Sequence, residues 1–478
     1  MKKLIISLCV VGVLLVATSA SAQGLANTPW PVTRADGATT GLGGGAAGAF
    51  ATPDWTAPIP VGGVTHGGIS ILPGGDLVWK AYDQAAVGGV YRFNVGPKTI
   101  AWGPGPATGT WAHGGVAVGT QALFYGSRDG TISVGALDYN GNSLWTTTLL
   151  DGLGATVQVR GTPLLNPSEE RLYVRDAAND GILYCLNSGT GAQIWSFDMR
   201  AVVDPVDADP NTNDAFSSSF GMLTSWGSGA AGDMYLYHNS GDSDESIVVR
   251  DDGGAGTAVW SHNFYNPGWQ NSWHGSQVYN DGYLYASTFA DGGRDSFYKI
   301  DAATGNIMWS LNITDGGANH FCRPAMSPDG QTFYVGGHGG TVTAYDDNGA
   351  TGAVRWQYAS TFGTAEFNGY VSVTGTPGDT WIYAIGNDNL LYAFHDNGTQ
   401  VIPLLAWKYQ LGPVGYFGSW QASIDSDGGL YIAGGAGNAE DGNFILYHFP
   451  GGAQIPEPGV MALFGFGLLA LLGLRRRK

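Results

Sequence analysis

The chain is poor in charge and in cysteine. Charged side chains make up 13% of its 478 residues, and 39 aspartates and glutamates outnumber 21 lysines and arginines. An acidic surface of this kind repels nucleic acid and anionic lipid, so no nucleic-acid partner is expected. Of three cysteines, Cys9 lies near the N-terminus, and Cys185 and Cys322 are too few to predict a disulfide framework. Both are expected to be small buried side chains, with a disulfide between them as the alternative.

Sequence motifs of common enzymes are also missing. The chain has no Gly-x-Ser-x-Gly elbow, phosphate-binding loop or Cys-x-x-Cys pair. Such motifs position a nucleophile, a phosphate group or a redox-active thiol. The sequence therefore predicts no catalytic residue.

Residues 1–22 have the three parts of a secretory signal peptide. Lys2 and Lys3 form a basic start, an apolar core follows, and small residues up to Ala22 form a cleavage site. The mature chain is expected to be exported.

The C-terminus has a second three-part pattern. Pro456, Glu457 and Pro458 precede an apolar stretch, 459–474, which is about 24 Å long as a helix. Three arginines and a lysine close the chain, and by the positive-inside rule they stay in the cytoplasm. The arginines are Arg475, Arg476 and Arg477.

This order of motif, helix and basic tail resembles the PEP-CTERM sorting signal of Gram-negative bacteria, here over residues 455–478. The resemblance implies a membrane-anchored intermediate held in the inner membrane. It also implies cleavage near Pro456–Pro458 by an exosortase and release to the cell surface or the exopolysaccharide matrix. A plain membrane anchor is the alternative.

Eight tryptophans recur at intervals of 43 to 65 residues, separated by short β-type runs and glycine turns. This period predicts an all-β fold, a β-propeller over residues 54–452. The chain after Trp407 lacks an outer strand and Trp55 lies in a strand without partners, so pairing of the two termini would close eight blades. Seven blades are the alternative if residues 218–264 are only an insertion. Residues 23–53, rich in Gly, Ala and Thr, are expected to be a flexible arm.

The repeat ending Ile300-Asp-Ala-Ala-Thr-Gly-Asn-Ile-Met-Trp309 resembles the PQQ-like (quinoprotein) propeller repeat, and weaker copies end at Trp145, Trp195 and Trp356. The resemblance implies that each tryptophan opens an outer strand and wedges two blades together. Quinoprotein dehydrogenases carry an adjacent Cys-Cys pair over their cofactor, and this chain has none. Pyrroloquinoline quinone is therefore not expected as a cofactor.

A column of polar residues appears when the starts of the predicted inner strands are aligned. It consists of His66, His113, Arg160, His274, Arg323 and Asn368, most of them followed by glycine. In a propeller these positions surround one mouth of the central channel, where they would form a funnel for anions or sugars. The alternatives are that they satisfy loop carbonyls, or that the three histidines bind a metal.

The insertion after Trp195 places oxygen ligands at alternate positions, a spacing that suits Ca²⁺. The ligands would be Asp207, Asp209, Asn211 and Asn213. A solvated acidic loop is the alternative.

Together these patterns predict a non-enzymatic, exosortase-sorted propeller that binds exopolysaccharide or another matrix protein. The competing hypothesis is an extracellular enzyme, either a divergent quinoprotein or a polysaccharide lyase or hydrolase, that uses the polar column.

Overall fold

A computed structural model gives the architecture. It describes residues 28, 30–32, 35–36, 39–45, 48–59, 67–81, 88–106, 108, 114–128, 131–151, 154–159, 161–176, 181–203, 223–239, 245–263, 277–287, 295–312, 324–337, 340–360, 367, 369–412, 421–435 and 444–452.

Thirty-two short strands form eight antiparallel sheets of four strands in the described residues. The first strand is β1 (Trp55–Ile59). Blade 1 contains β2 (Ile69–Ile71), β3 (Leu77–Lys80), β4 (Val90–Asn94) and β5 (Thr99–Trp102). Blade 2 contains β6 (Val116–Val118), β7 (Leu123–Gly126), β8 (Val134–Leu137) and β9 (Ser143–Thr147). Blade 3 contains β10 (Leu164–Leu165), β11 (Arg171–Arg175), β12 (Ile182–Asn187) and β13 (Gln193–Asp198), followed by a helical turn, α1 (Arg200–Val203).

The second half of the ring repeats this pattern. Blade 4 contains β14 (Thr224–Ala230), β15 (Asp233–Asn239), β16 (Glu245–Asp251) and β17 (Gly256–Asn263). Blade 5 contains β18 (Gln277–Asn280), β19 (Tyr283–Ser287), β20 (Asp295–Asp301) and β21 (Ile307–Asn312). Blade 6 contains β22 (Ala325–Met326), β23 (Thr332–Gly337), β24 (Thr341–Asp347) and β25 (Gly352–Ala359). Blade 7 contains β26 (Ser372–Thr376), β27 (Asp379–Ile385), β28 (Leu390–Asp396) and β29 (Leu404–Gln410). Blade 8 contains β30 (Ser423–Ile424), β31 (Leu430–Gly435), β32 (Phe444–Phe449) and β1.

The two ends of the chain close the ring, as predicted. Strand β1 pairs with β32 in antiparallel register, from Trp55 opposite His448 to Ile59 opposite Phe444. Residues 224–263 form a complete fourth blade, so they are not an insertion and the seven-blade alternative is wrong. Closure gives β1 a partner and completes the eighth four-stranded blade.

Burial follows the position of a strand in its blade. The inner strands β2 and β6 are buried along their whole length, whereas the outer strand β29 alternates exposed and half-buried residues. An inner strand has protein on both faces and reads as an apolar run, while an outer strand keeps one face in solvent. The core is therefore a set of apolar layers between adjacent blades.

Neighbouring strands are antiparallel, so every inner strand begins on one side of the ring and ends on the other. We call the side where inner strands begin, and second strands end, the proximal face. The distal face carries the turns that join first to second and third to fourth strands.

The repeated tryptophans wedge adjacent blades together. Trp145 in blade 2 donates its indole N–H to the Ser188 carbonyl of blade 3 at 2.8 Å, and Trp260 in blade 4 donates to the Ala302 carbonyl of blade 5 at 2.9 Å. Except for Trp55, these residues do not open their strands as predicted. The strands begin two to four residues earlier, since those residues still pair with the third strand.

The glycine of the Thr-Gly turn is required by this wedge. At Gly305, φ is +76°, and a Cβ atom there would lie 2.7 Å from the indole ring of Trp260. Any side chain would push the ring out of the blade interface. The repeat therefore contains both the tryptophan and the glycine on which the tryptophan of the preceding blade packs.

Buried aspartates strengthen three of the blade interfaces. Asp251, at the end of β16 in blade 4, accepts hydrogen bonds from Arg171 (2.7 Å), Tyr173 (2.6 Å) and Trp195 (3.0 Å) of blade 3. Burial and the hydrogen bond to this carboxylate both raise the pKa of the Tyr173 hydroxyl. The equivalent carboxylates at the next two such interfaces are Asp347 and Asp396.

The segment before β1 is packed, which corrects the expectation of a flexible arm for its described residues. Trp30 and Ala49 are fully buried, and Val32 and Thr39 are 1% exposed. Its carbonyls accept hydrogen bonds from the inner strands of blades 1, 2, 6 and 7. The pairs are Trp30 with the Ile71 N–H, Pro31 with that of Val118, Thr40 with that of Met326, and Gly41 with that of Val373, all between 2.8 and 2.9 Å.

Several of the predicted features lie partly or wholly outside the described residues. Cys185 is buried and forms no disulfide, whereas Cys322 lies outside the described residues. The signal peptide, the sorting motif and the predicted helix 459–474 also lie outside them. Within the described part of the chain, no helix is both long and apolar enough to cross a membrane.

His448 stabilises the pairing of the two chain ends, β1 and β32. Its Nδ1 lies 2.7 Å from Asp54, just before β1, and its Nε2 lies 3.2 Å from Asp425. Burial alone would lower the pKa of His448, but these two carboxylates outweigh it and raise that pKa. Burial likewise would raise the pKa of Asp425, but hydrogen bonds from His448 and from the Gly429 and Asp427 N–H groups lower it.

We expect this junction to weaken as the pH rises. A raised histidine pKa stabilises the fold fully below the unfolded pKa of about 6.5, and the contribution is lost as the pH passes the folded pKa. The difference in melting temperature between the parent chain and His448→Gln should therefore shrink from pH 5.5 to pH 9. Asp54→Asn should show the same trend, and a difference that stays constant or grows would contradict it.

Candidate functional site at the proximal channel mouth

Hydroxyl groups link the inner strands around the channel. Ser70 of blade 1 donates to the Val116 carbonyl of blade 2 at 2.7 Å, and Ser372 of blade 7 donates to the Ala422 carbonyl of blade 8 at 2.6 Å. Ser423 closes the circle by donating to the Ile69 carbonyl of blade 1. The channel wall is therefore uncharged along these strands, and its hydroxyls are used to hold the blades together.

The N-terminal segment lies across the distal end of this channel. It contacts the last residues of inner strands, Ile71, Val118 and Met326, which mark that end. Thr39 reaches further in and shares hydrogen bonds with Thr224 and the Gln277 carbonyl of blades 4 and 5. Access to the channel from the distal face is thereby restricted by the described part of this segment.

The six residues predicted to line the mouth all lie outside the described residues. They are His66, His113, Arg160, His274, Arg323 and Asn368. The predicted calcium ligands Asp207, Asp209, Asn211 and Asn213 lie outside them as well. Whether these side chains converge stays a prediction.

The glycines that follow four of the predicted residues are described, and two of them explain part of the pattern. A Cβ atom on Gly67 would lie 1.9 Å from the Gly115 nitrogen, and one on Gly114 would lie 2.2 Å from the Gly161 carbonyl carbon. Backbones of neighbouring blades thus meet where the inner strands begin, and only glycine permits that approach. The recurring glycine in the polar column reflects this packing.

Sequence analysis missed a set of basic side chains at or within two residues of the ends of the second strands. In blades 1 to 4, on the proximal side, these are Lys80, Arg128, Arg175 and His238. Lys80 is fully buried and donates to the Gly126 carbonyl of the next blade at 3.1 Å; burial lowers its pKa to about 7. An alignment of second-strand ends, in addition to inner-strand starts, would have found them.

Arg175 and His238 link blades 3 and 4 beneath the same mouth. The guanidinium lies 3.3 Å from the imidazole Nε2, and the two residues are 3% and 1% exposed. Asp176, next to Arg175, is also buried. Buried charged groups are usually paired, and this contact joins blades 3 and 4 near the proximal ends of their second strands.

The described residues form no group of three or more histidine, cysteine, aspartate or glutamate side chains arranged for a metal. A shallow cleft of about 440 Å³ opens on blade 3, lined in part by Glu169, Glu170 and Arg171. It lies on the distal face, and Arg171 is already paired with Asp251. The cleft is thus separate from the predicted mouth.

Comparison with known proteins agrees with this architecture. Residues 69–206 and 179–412 match the family described as outer membrane protein assembly factor BamB, and residues 454–478 match the PEP-CTERM protein-sorting motif. No curated protein sequence matches the chain significantly.

Solved structures share the fold at low identity. BamB from Moraxella catarrhalis is 16% identical with a TM-score of 0.52, covering 84% of this chain and 98% of its own. Quinohemoprotein alcohol dehydrogenase from Comamonas testosteroni is 15% identical with a TM-score of 0.59, covering 91% and 82%. A europium-containing methanol dehydrogenase is 16% identical with a TM-score of 0.57, covering 88% and 98%. At these identities the similarity establishes the fold alone.

The dehydrogenase neighbours raise the question of a quinone or metal cofactor. Among the described residues, the channel-lining hydroxyls of Ser70, Ser372 and Ser423 are already bonded to adjacent blades. Cys185 packs in the core between blades 3 and 4 with Trp195. These hydroxyls and this thiol are thus engaged within the propeller, and we derive no step through a quinone.

Proposed function

We propose that this chain, which belongs to the family described as outer membrane protein assembly factor BamB, is a non-catalytic binding or scaffold propeller of the cell surface. Its C-terminal motif supports export and membrane-anchored sorting toward the cell surface, with processing by an exosortase. The ligand we propose is an anionic polysaccharide of the extracellular matrix, held at the proximal mouth. A matrix protein bound at the same mouth is the second outcome that the test below distinguishes.

The observation that carries the proposal is the closed distal end of the channel. The N-terminal segment occupies that end through backbone contacts with four blades. A ligand would then approach from the proximal face, where four successive blades carry a basic residue at or within two residues of the end of the second strand: Lys80, Arg128, Arg175 and His238. Arg128 and Arg175 carry guanidinium groups, which attract anionic ligands and bind carboxylates in bidentate fashion.

Two features of the sequence favour binding over catalysis. It contains no familiar nucleophile motif, and it lacks the adjacent Cys-Cys pair of the quinoprotein dehydrogenases. A propeller supports many functions, so its similarity to dehydrogenases does not by itself favour redox chemistry.

The test is a binding and turnover assay on residues 23–455 with the producer's exopolysaccharide, with and without Ca²⁺. We expect the polymer to bind and to stay intact by mass spectrometry. His113→Ala and His274→Ala should each weaken binding about tenfold, the loss of one good polar contact. His395→Ala is the matched control, because His395 pairs with Asp379 on the distal side of blade 7.

Shortening of the polymer, or a quinone that co-purifies with the protein, would overturn the non-catalytic proposal. Equal binding by His113→Ala, His274→Ala and the His395→Ala control would remove the proximal mouth as the site. Binding of a matrix protein, but not of the polymer, would replace the polysaccharide as ligand.

A further inference from the structure

Blade 7 carries the most exposed large apolar side chains of the described residues. Val401 and Ile402 are 73% and 75% exposed, and Leu404 is 52% exposed. They lie in the turn between β28 and β29, and at the start of β29. These adjacent apolar side chains make few contacts within the propeller. Contiguous exposed apolar residues of this kind are typical of a surface that binds a protein or a membrane.

This turn is longer than its counterparts. Trp407 follows Asp396 by 11 positions, whereas Trp260 follows Asp251, and Trp356 follows Asp347, by 9 positions. Its polar part closes on itself: Asn397 Oδ1 accepts from the Thr399 and Gln400 N–H groups at 3.0 Å each, and Gln400 donates to the His395 carbonyl at 2.6 Å. Val401 and Ile402 are extra residues that the turn does not need.

The turn is also free of charge. Residues 397–406, which follow the buried Asp396, contain no lysine, arginine, aspartate or glutamate, although the corresponding turn of blade 4 contains Asp252. An apolar surface could therefore cover this turn without desolvating a charge. We call residues 401–404 the apolar turn of blade 7.

The chain leaves the propeller beside the apolar turn. Third strands end on the distal face, so β32 ends there, and the last described residue is Gly452. Blade 7 packs directly on this strand: the Trp407 ring stacks on Phe449 at 5.8 Å, and the Tyr409 ring meets it edge-on at 5.1 Å. The apolar turn and the point of departure therefore belong to neighbouring blades on one face.

The tether from this face to the apolar segment is short. Six residues, 453–458, precede the stretch 459–474, and six residues span at most about 20 Å. A propeller anchored through that stretch keeps its distal face close to the bilayer. Other blades also have exposed apolar residues shortly before their wedge tryptophans, in the half of the outer strand nearer the distal face. They are Leu144, Val259, Ile307, Met308 and Val354.

We propose that in the membrane-anchored form the apolar turn of blade 7 contacts the bilayer and inserts Val401 and Ile402 into the lipid interface. This proposal rests on the anchored intermediate of the proposed function, not on its ligand. The surface it needs is zwitterionic lipid, because the chain is acidic overall. Sorting then releases both contacts at once, since the apolar turn alone is too small to hold the protein on a membrane.

The test uses residues 23–478 reconstituted into phosphatidylcholine–phosphatidylethanolamine vesicles that contain brominated lipid. An environment-sensitive fluorophore is attached through Ile402→Cys, and a matched control carries it through Leu150→Cys. Leu150 is 56% exposed but follows β9 on the proximal side. The unsubstituted chain, labelled in parallel, gives the background from Cys185 and Cys322.

We expect a blue shift and bromine quenching at position 402, neither at position 150, and loss of both signals in residues 23–455. Substituting Val401→Ser in the labelled chain should reduce the quenching at 402 several-fold, because one of two inserted side chains is then polar. Equal signals from the anchored and released chains would overturn the proposal. Protection at 402 without bromine quenching would overturn it in favour of contact between two copies.

Flotation of the vesicles separates this proposal from the proposed function. A chain of residues 23–478 that does not float with the vesicles would overturn the anchored form and this inference together. Loss of polysaccharide binding would leave both intact.

Discussion

A chain that begins at residue 54 is expected to be far less stable than one that begins at residue 23. The deletion removes Trp30, Val32 and Ala49 from fully or almost fully buried positions. It also leaves inner-strand N–H groups such as those of Ile71 and Met326 without their acceptors. Loss of one buried tryptophan side chain alone costs about 3–5 kcal/mol. We expect the melting temperature of the shortened chain, measured by tryptophan fluorescence, to be many degrees below that of the chain that begins at residue 23.

A peptide of residues 28–53 provides the control for this deletion. Added in excess to the shortened chain, it should restore much of the lost stability, because its contacts are made to the preformed inner strands. Trp30→Ala in the full chain should reproduce a large part of the loss, while Leu150→Ala, at an exposed position, should not. A shortened chain that melts within a degree or two of its parent would show that the segment is dispensable.

Asp251→Ala is expected to destabilise the fold by about 3–5 kcal/mol, the usual cost of breaking a buried ion pair. Asp251 is 1% exposed and accepts hydrogen bonds from Arg171, Tyr173 and Trp195 across the interface of blades 3 and 4. Without it a guanidinium, a phenol and an indole lose their common acceptor. The measurement is the shift of the denaturation midpoint.

The neighbouring residue gives a matched control. Asp252 pairs with Arg250 at 2.6 Å, but both side chains are about one-third exposed. An exposed pair of this kind contributes little to stability, because solvent screens the two charges. If Asp252→Ala proved as costly as Asp251→Ala, the burial of the shared acceptor would not be the source of the stability.

The fold could be predicted from the sequence because the packing between blades requires the same residues in each repeat. A tryptophan and a glycine recur in each repeat, since the indole of one blade packs on the bare turn of the next, as Trp260 packs on Gly305. The shared last blade followed from the missing partner of Trp55, and its pairing with β32 confirms that argument. The exact start of each outer strand could not be predicted, because backbone pairing extends beyond the tryptophan.

The N-terminal segment was interpreted wrongly because its composition has two meanings. Small residues are typical of linkers, yet here they allow close packing. A Cβ atom on Gly43 would lie 2.4 Å from Ile424, and one on Gly48 would lie 2.2 Å from the Trp381 ring. Composition alone does not separate a loose segment from a tightly packed one.

The candidate site was less predictable than the fold. Its six proposed residues came from the starts of the inner strands, whereas the cations at Lys80 and Arg175 end the second strands. The two sets lie on the same face because the strands are antiparallel, and this could not be recognised without the strand order. Partners brought together by topology across many residues leave no local pattern in the sequence.

Closure of the ring by β1 and β32 has a consequence for secretion. These strands are almost 400 residues apart, so the last blade cannot form until nearly the whole chain has crossed the inner membrane. Contacts of such long range slow folding and leave β1 an unpaired edge in the meantime. The partner strand emerges only a few residues ahead of the sorting motif, at the moment when translocation ends. Resistance to periplasmic proteases should therefore be acquired late and all at once, together with the arrival of the membrane segment.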